Sequence, residues 1–264
     1  MKQFTRYLTP ALMGLFALQT PAVSSAEVNS PTYFSNSNAK SLTTPVAEGA
    51  ANNVVFFGVG GTSPSPYTTK SDGAAVLGVG VGDPRENLGV QLSLINLDIS
   101  AWNTYSASLH VFRDLGNAST IGVGVENVML TTGVNSSGDT GKSFYAVYSQ
   151  GVQADAFVDK TTGTSKLHYS VGVGSGRFGD KSADDIATGK SAHGTYVFGN
   201  IAYEVAQSFN VITDWNGLNL NAGVSKTFSI GNLPIAVVVG AADLTHNSGD
   251  GVRLIGVIGT GFKL

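Results

Sequence analysis

No cysteine occurs in the 264 residues, which excludes disulfide staples and zinc–thiolate sites. Charge is scarce as well: Asp, Glu, Lys and Arg make up 12 % of the chain and the formal net charge is −3, so there is no solvating tail and no electrostatic footprint for nucleic acid. No run of 18 or more apolar residues is present, so a helical membrane span is excluded too. What remains is glycine, with 34 residues, about twice its usual share, set among valines and aromatics.

The first residues read as a targeting signal. Lys2 and Arg6 give a positive start, Ala11 to Leu18 an apolar core and Ser24-Ser25-Ala26 a small-residue cleavage site, so residues 1–26 are expected to be a secretory signal peptide. The core is too short to span a bilayer and is bracketed by Pro10 and Pro21. Residues 27–51 are rich in Ser, Asn, Thr, Ala and Pro without periodicity, and are expected to be a flexible lead or at most loosely docked. Residues 52–264 form the folded body.

That body alternates with period two, which strands satisfy and helices do not. Tyr105, Ala107, Leu109 and Val111 oppose Ser106, Ser108 and His110; Leu167, Tyr169, Val171 and Val173 oppose His168, Ser170, Gly172 and Gly174. Phe209, Val211, Thr213 and Trp215 oppose Asn210, Ile212 and Asp214, and Asn216-Gly217 then leads into a further alternating run, the strongest short hairpin signal. The polar faces carry small neutral groups, whereas a soluble sandwich would place Lys and Glu there. Charge gathers between the strands, as in Asp83-Pro84-Arg85-Glu86. An inverted arrangement explains both features: apolar side chains meet lipid, and small polar ones face a confined interior. Closure is then required, because an open sheet edge in hydrocarbon leaves backbone groups unpaired.

The expected fold is therefore all-β, a transmembrane antiparallel up-and-down β-barrel. Twelve candidate strands can be counted from residue 52 onward, with ten and fourteen left open. Connections that are mostly long alternate with mostly short ones; 99–100 and 216–217 look too short for the long end, and 153–165 too long for the short end. Val-Gly runs such as Gly78 to Gly82, Gly122 to Val125 and Gly172 to Gly174 turn glycine inward, which suggests either crowded packing or an open lumen.

The last residues, Gly259-Thr260-Gly261-Phe262-Lys263-Leu264, resemble the closing-strand signal of bacterial outer-membrane β-barrels, porin-like proteins among them. Gly259 is followed by outward hydrophobics at the third-last and last positions, Phe262 and Leu264; the family more often ends in Phe or Trp. The resemblance implies location in the bacterial outer membrane, contact with its lipid, insertion by the barrel-assembly machinery and a porin-like or structural role. It specifies no substrate, cofactor or oligomeric state, and neither metal nor cofactor is expected.

Catalysis is not expected. His246-Asn247-Ser248 resembles the His-x-Ser pair of lipid A deacylase barrels, but the acid expected twelve residues after the serine is Thr260. Asp243 near His246 resembles the Asp-His arrangement of outer-membrane proteases without its supporting acidic cluster. The expected lumen-lining residues are Gln91, His110, Glu126, His168, Asn200, Glu204, Asn210, Asp214, Asn219, Asn221 and Arg253. They fit a narrow passive channel for small polar solutes or cations, or a closed core in which Arg253 pairs with Glu204. The alternative to a channel is a structural or adhesive barrel acting through its outer loops, above all 175–192.

Overall fold

A computed structural model describes residues 39–131, 141–231 and 233–264. The expected signal peptide and residues 27–38 lie outside the described residues, as does most of the 130–142 connection. Among the described residues, twelve strands form one sheet: β1 (Val54–Ser63), β2 (Asp72–Val81), β3 (Gly89–Asn96), β4 (Tyr105–Gly116), β5 (Ser119–Met129), β6 (Ser143–Gly151), β7 (Leu167–Gly174), β8 (Val197–Ala206), β9 (Phe209–Trp215), β10 (Leu220–Ile230), β11 (Leu233–Ala242) and β12 (Arg253–Lys263). Each pairs antiparallel with its sequence neighbours. β12 closes on β1, from Val54 opposite Lys263 to Ser63 opposite Leu254, so the sheet is a barrel without edges. No helix is long and apolar enough to cross a membrane among the described residues.

The alternation in sequence becomes two solvents in space. In β7, Tyr169, Val171 and Val173 are exposed while His168 and Ser170 are buried. The same holds around the wall, with Phe57, Leu77, Leu92, Val123, Ile201, Val211, Val239 and Ile258 exposed on the outer surface. A continuous belt of large exposed hydrophobics is incompatible with water and is the surface of a transmembrane barrel. Phe262 and Leu264 lie on this outward face at the closing strand, and Gly259 is buried on the opposite one.

The interior differs from expectation in two ways. One half of its wall is apolar: Phe56, Ala74, Val76, Ile95, Val238, Ile255 and Val257 form a buried cluster with Leu42 and Ala50. The second difference explains the first. Residues 39–51, expected to be part of a flexible lead, pack inside the barrel, with Leu42, Thr43 and Thr44 at 0 % exposure and Lys40 at 5 %. A segment of small residues has no periodicity of its own, but it fits a lumen whose wall offers glycines and hydrogen-bonding groups. Gly80 is one such place, since a Cβ there would lie 2.0 Å from the Ala50 backbone. At Gly172 a Cβ would lie 2.2 Å from the Phe198 ring. The Val-Gly runs are thus a sign of crowding.

The connections define two unlike ends. At the loop end are 64–71, 97–104, 130–142, 175–196, 216–219 and 243–252; at the turn end are 82–88, 117–118, 152–166, 207–208 and 231–232. The short connection expected at 99–100 widens because β3 stops at Asn96 and β4 starts at Tyr105. The Asn216-Gly217 turn is lengthened by Asn216, whose Oδ1 accepts from the N–H groups of Leu218 and Asn219, so Leu218 is buried in the turn and β10 begins only at Leu220. The long 152–166 connection at the turn end is real.

The register predicts opposite tolerance on adjacent residues. Val171→Arg, facing outward at mid-strand, should cost roughly 2–4 kcal/mol and impair membrane assembly. Ser170→Ala removes only the Ser149–Ser170 hydroxyl contact and should cost about 1 kcal/mol. Urea unfolding of the two variants in lipid vesicles checks the order.

Candidate functional site

The candidate site is the barrel interior together with the segment inside it. Lys40 lies level with Asn210 and Glu204 towards the turn end; Thr43 lies level with Asp214 and Asn221 towards the loop end; Ala50 lies beside Gln91 and Gly80, back at the turn end. The segment is therefore a bend with its apex at Thr43 and Thr44. Ser41 shapes the apex, its Oγ accepting the Thr44 N–H at 3.1 Å and meeting the Thr44 hydroxyl at 2.8 Å.

The wall holds this bend by its main chain. Asp214 Oδ2 accepts the N–H groups of Leu42 at 3.0 Å and Thr43 at 2.7 Å, while its Oδ1 accepts the Thr43 hydroxyl at 3.0 Å and Asn221 Nδ2 at 2.6 Å. Ser149 Oγ accepts the Ala47 N–H at 2.8 Å, and Gln91 Oε1 accepts the Ala50 N–H at 2.7 Å. In the other direction, Ser225 donates to the Ala39 carbonyl, Asn200 to that of Lys40 and Arg177 Nη1 to that of Thr43. His110 Nε2 lies 2.8 Å from the Ala47 carbonyl, which can only accept, so Nε2 carries a proton and Nδ1 is left to accept from the Tyr145 hydroxyl, also at 2.8 Å. Satisfied backbone groups are what a buried irregular segment requires.

Charges inside are paired. Arg177 grips Glu126 with Nε at 2.5 Å and Nη2 at 3.3 Å, and its side chain lies over the Phe178 ring. Glu126 reaches this position through a bulge between β4 and β5, where adjacent residues Glu126 and Asn127 are both buried. Arg253 pairs with Asp243 at 2.6 Å and donates to Thr62 at 3.0 Å. Glu204 instead faces Lys40 at 3.7 Å, so the pairing expected between Arg253 and Glu204 is replaced by two others. Phe178 and Phe198 stack at 4.4 Å, with Tyr145 packed edge-on to both.

All eleven expected inward residues are placed on the interior side. Gln91, His110, Asn200, Glu204, Asn210 and Asp214 contact the bend directly. Asn221 meets Thr43 as well as Asp214, Glu126 acts through Arg177, and Asn219 binds Asp243 and the Ser248 carbonyl. His168 is buried near the turn end with Nε2 at 2.8 Å from the Ser165 carbonyl. Sequence reasoning missed Arg177, which it set in an outer loop, and Lys40, which it set in the lead. The available signal was the excess of inward acids over bases.

The loop end is tied across its mouth. In a closed ring of twelve strands, β7 and β8 stand opposite β1 and β2, yet the 175–196 loop reaches over to both neighbouring loops there. Its short helix, Ala183–Ala187, begins with a capping box between Ser182 and Asp185. Asp185 accepts the Tyr67 hydroxyl at 2.6 Å, the Ser248 hydroxyl at 2.7 Å and the Gly249 N–H at 2.7 Å, and Lys190 lies 3.4 Å away. Ser248 is thus engaged by Asp185, while His246 is exposed to solvent. Burial raises the Asp185 carboxyl, but the hydrogen bonds from Tyr67, Ser248, Gly249 and Ser182 outweigh it and hold the group below its ordinary value. Burial and the same bond push the Tyr67 hydroxyl up to about 12.

The fold and interior define a transmembrane β-barrel with an internal segment. No protein-family model and no curated protein sequence matches the chain. Among solved structures it is similar to the KdgM porin in complex with disordered oligogalacturonate, with TM-score 0.45 and 9 % identity, covering 80 % of this chain and 99 % of that one. It is similar also to outer membrane phospholipase A from Escherichia coli, with TM-score 0.43, 11 % identity and coverage of 80 % and 92 %. A bacterial polysaccharide outer membrane secretin gives TM-score 0.42, 9 % identity and coverage of 81 % and 99 %. These likenesses extend to barrel form and no further.

The clasp predicts a pH response with a definite sign. A depressed carboxyl stabilises the folded loops above its unfolded value and loses that contribution as pH falls through its folded value, below the ordinary carboxylate range. Protection against hydrogen exchange over residues 182–190, relative to the intrinsic rate at each pH, should therefore fall in strong acid, and Asp185→Ala should lower it already at neutral pH by weakening the clasp by roughly 1–3 kcal/mol.

Proposed function

We propose that this chain is a bacterial outer-membrane barrel of porin-like kind, with its loop end outside, whose passage is closed in the present conformation by residues 39–51. When the segment withdraws, the lumen passes small polar solutes, cations before anions. The observation that carries this reading is the way the segment is held: by hydrogen bonds between its main chain and polar side chains of the wall, which can be exchanged for water. Electrostatics supplies the preference. Glu126 is paired with Arg177 and Asp243 with Arg253, both within the barrel and its loops, whereas Glu204 has its cation on the segment and Asp214 has four of its five hydrogen-bond donors there. Withdrawal removes Lys40 together with Glu48, so the segment carries away no net charge, and leaves Glu204 and Asp214 facing the passage, where fixed negative charge concentrates cations and salt screens the effect.

The reading assigns no catalytic residue and needs no metal or cofactor. Its partners are outer-membrane lipid and the barrel-assembly machinery implied by the C-terminal resemblance. A structural or adhesive role through the outer loops is the second reading, favoured by the tied mouth at Asp185.

In fractionated cells the protein should appear in outer membrane, with a mature chain starting at Glu27; recovery as a soluble periplasmic monomer would contradict the reading. In planar bilayers the full chain should show small, infrequent openings, and Asp214→Ala, by freeing the apex, should raise the open fraction by roughly tenfold or more. Glu204→Gln together with Asp214→Asn should lower the cation preference. A folded barrel that stays silent in every variant would favour the loop-mediated role.

A further inference from the structure

We propose that the lumen is a binding site for a separate peptide held in a bend, and that residues 39–51 are its tethered occupant. The seat reads a backbone. The N–H groups of Leu42, Thr43, Ala47 and Ala50 and the carbonyls of Ala39, Lys40, Thr43 and Ala47 each meet a wall side chain. These contacts come from Gln91 and His110, paired neighbours on β3 and β4, from Ser149 on β6, from Arg177 in the 175–196 loop and from Asn200, Asp214 and Ser225 on β8, β9 and β10.

Side-chain demands are few and can be stated. Gly49 must lack a side chain, because a Cβ there would lie 2.8 Å from the Phe112 ring and 3.0 Å from that of His110. Leu42 fills a niche over Gly223 and Gly240, where a Cβ at either glycine would come within 3.2 Å of its Cδ2. A cation at the Lys40 position meets Asn210 at 2.8 Å and Glu204 at 3.7 Å. The ligand class is therefore a peptide mostly of small residues, able to bend at a Ser/Thr pair, with one Lys, a Leu-sized side chain two positions after it, a buried Val at the Val46 position and one acid at the Glu48 position beside Ser149.

The covalent tie to the barrel is slight. Between the bend and β1 stand only Asn52 and Asn53, both exposed and both with positive φ, 54° and 63°. Everything else that holds the segment is non-covalent. A short tether raises the local concentration of its own segment to about the millimolar range and so hides the site from competitors. Cutting the tether exposes the affinity of the seat itself.

A protease recognition sequence placed between Asn52 and Asn53 of the full chain allows that cut after the barrel has formed. The probe is a fluorescent synthetic peptide with the sequence of residues 39–51, and the readout is its retention by the cut barrel in detergent, with gel mobility of the unheated protein reporting that the barrel stays folded. The expected result is saturable exchange of label into the cut protein and none into the uncut one. A peptide N-methylated at the positions of Thr43 and Ala47 should bind at least tenfold more weakly, since it keeps every side chain but loses two main-chain donors. No exchange after cutting, collapse of the barrel on cutting, or equal binding of the N-methylated peptide would each overturn the proposal. Binding is read here without any current, so failure of the conduction reading leaves this result standing, and the reverse also holds.

Discussion

The demand that every backbone N–H and C=O be paired within the protein governs this molecule, because lipid offers no hydrogen bonds. The β1–β12 seam meets that demand at the one place where an antiparallel meander would otherwise end. Closure then forces the alternation: each strand must show one face to lipid and the other to whatever the ring encloses. It also creates an enclosed volume that must be filled by side chains, water or chain, and here chain enters it. The same demand recurs inside, where a bend without regular secondary structure has its main-chain groups met by Asp214, Gln91, Ser149, Ser225 and Asn200.

Filling the interior changes what it can be made of. Half of the enclosed wall is apolar, with Phe56, Val76, Val238 and Ile255 packed towards Leu42 and Ala50. The other half carries the stacked rings and the inward carboxylates Glu126, Glu204 and Asp214, while Asp243 caps the apolar half at the loop end. A buried carboxylate needs a partner of opposite charge or several donors, and each has one or the other: Glu126 has Arg177, Asp243 has Arg253, Glu204 has Lys40, and Asp214 has five hydrogen-bond donors, four of them on the bend. The electrostatic balance of the barrel is therefore shared between wall, loop and segment.

The wall was legible in sequence because lipid and interior impose opposite chemistry on successive residues. Strand facing follows from that single contrast and strand number to within two, and β7 or β9 can be read residue by residue. The occupant was not legible, for a physical reason. Alanine, serine and threonine bound through their main chain leave no periodic trace, and Ser41 and Asp214 lie 173 positions apart. Arg177 escaped notice because a loop residue can turn back into a lumen without any local sign. Three inward acids against one inward base was the visible imbalance, and both missing cations came from segments placed outside the barrel.

The two mouths are not equivalent, and that inequality gives the barrel a direction. Across the loop end, Asp185 binds the 175–196 loop to the 64–71 and 243–252 loops, bracing the space above the apex at Thr43. The turn end is bordered mainly by short hairpins, and both described limbs of the bend point that way. Among the described residues, the bend is braced at its apex and open along its limbs. In the passage proposed above, that asymmetry makes a check valve: a push from the loop side works to unseat the bend, and a push from the turn side presses it home.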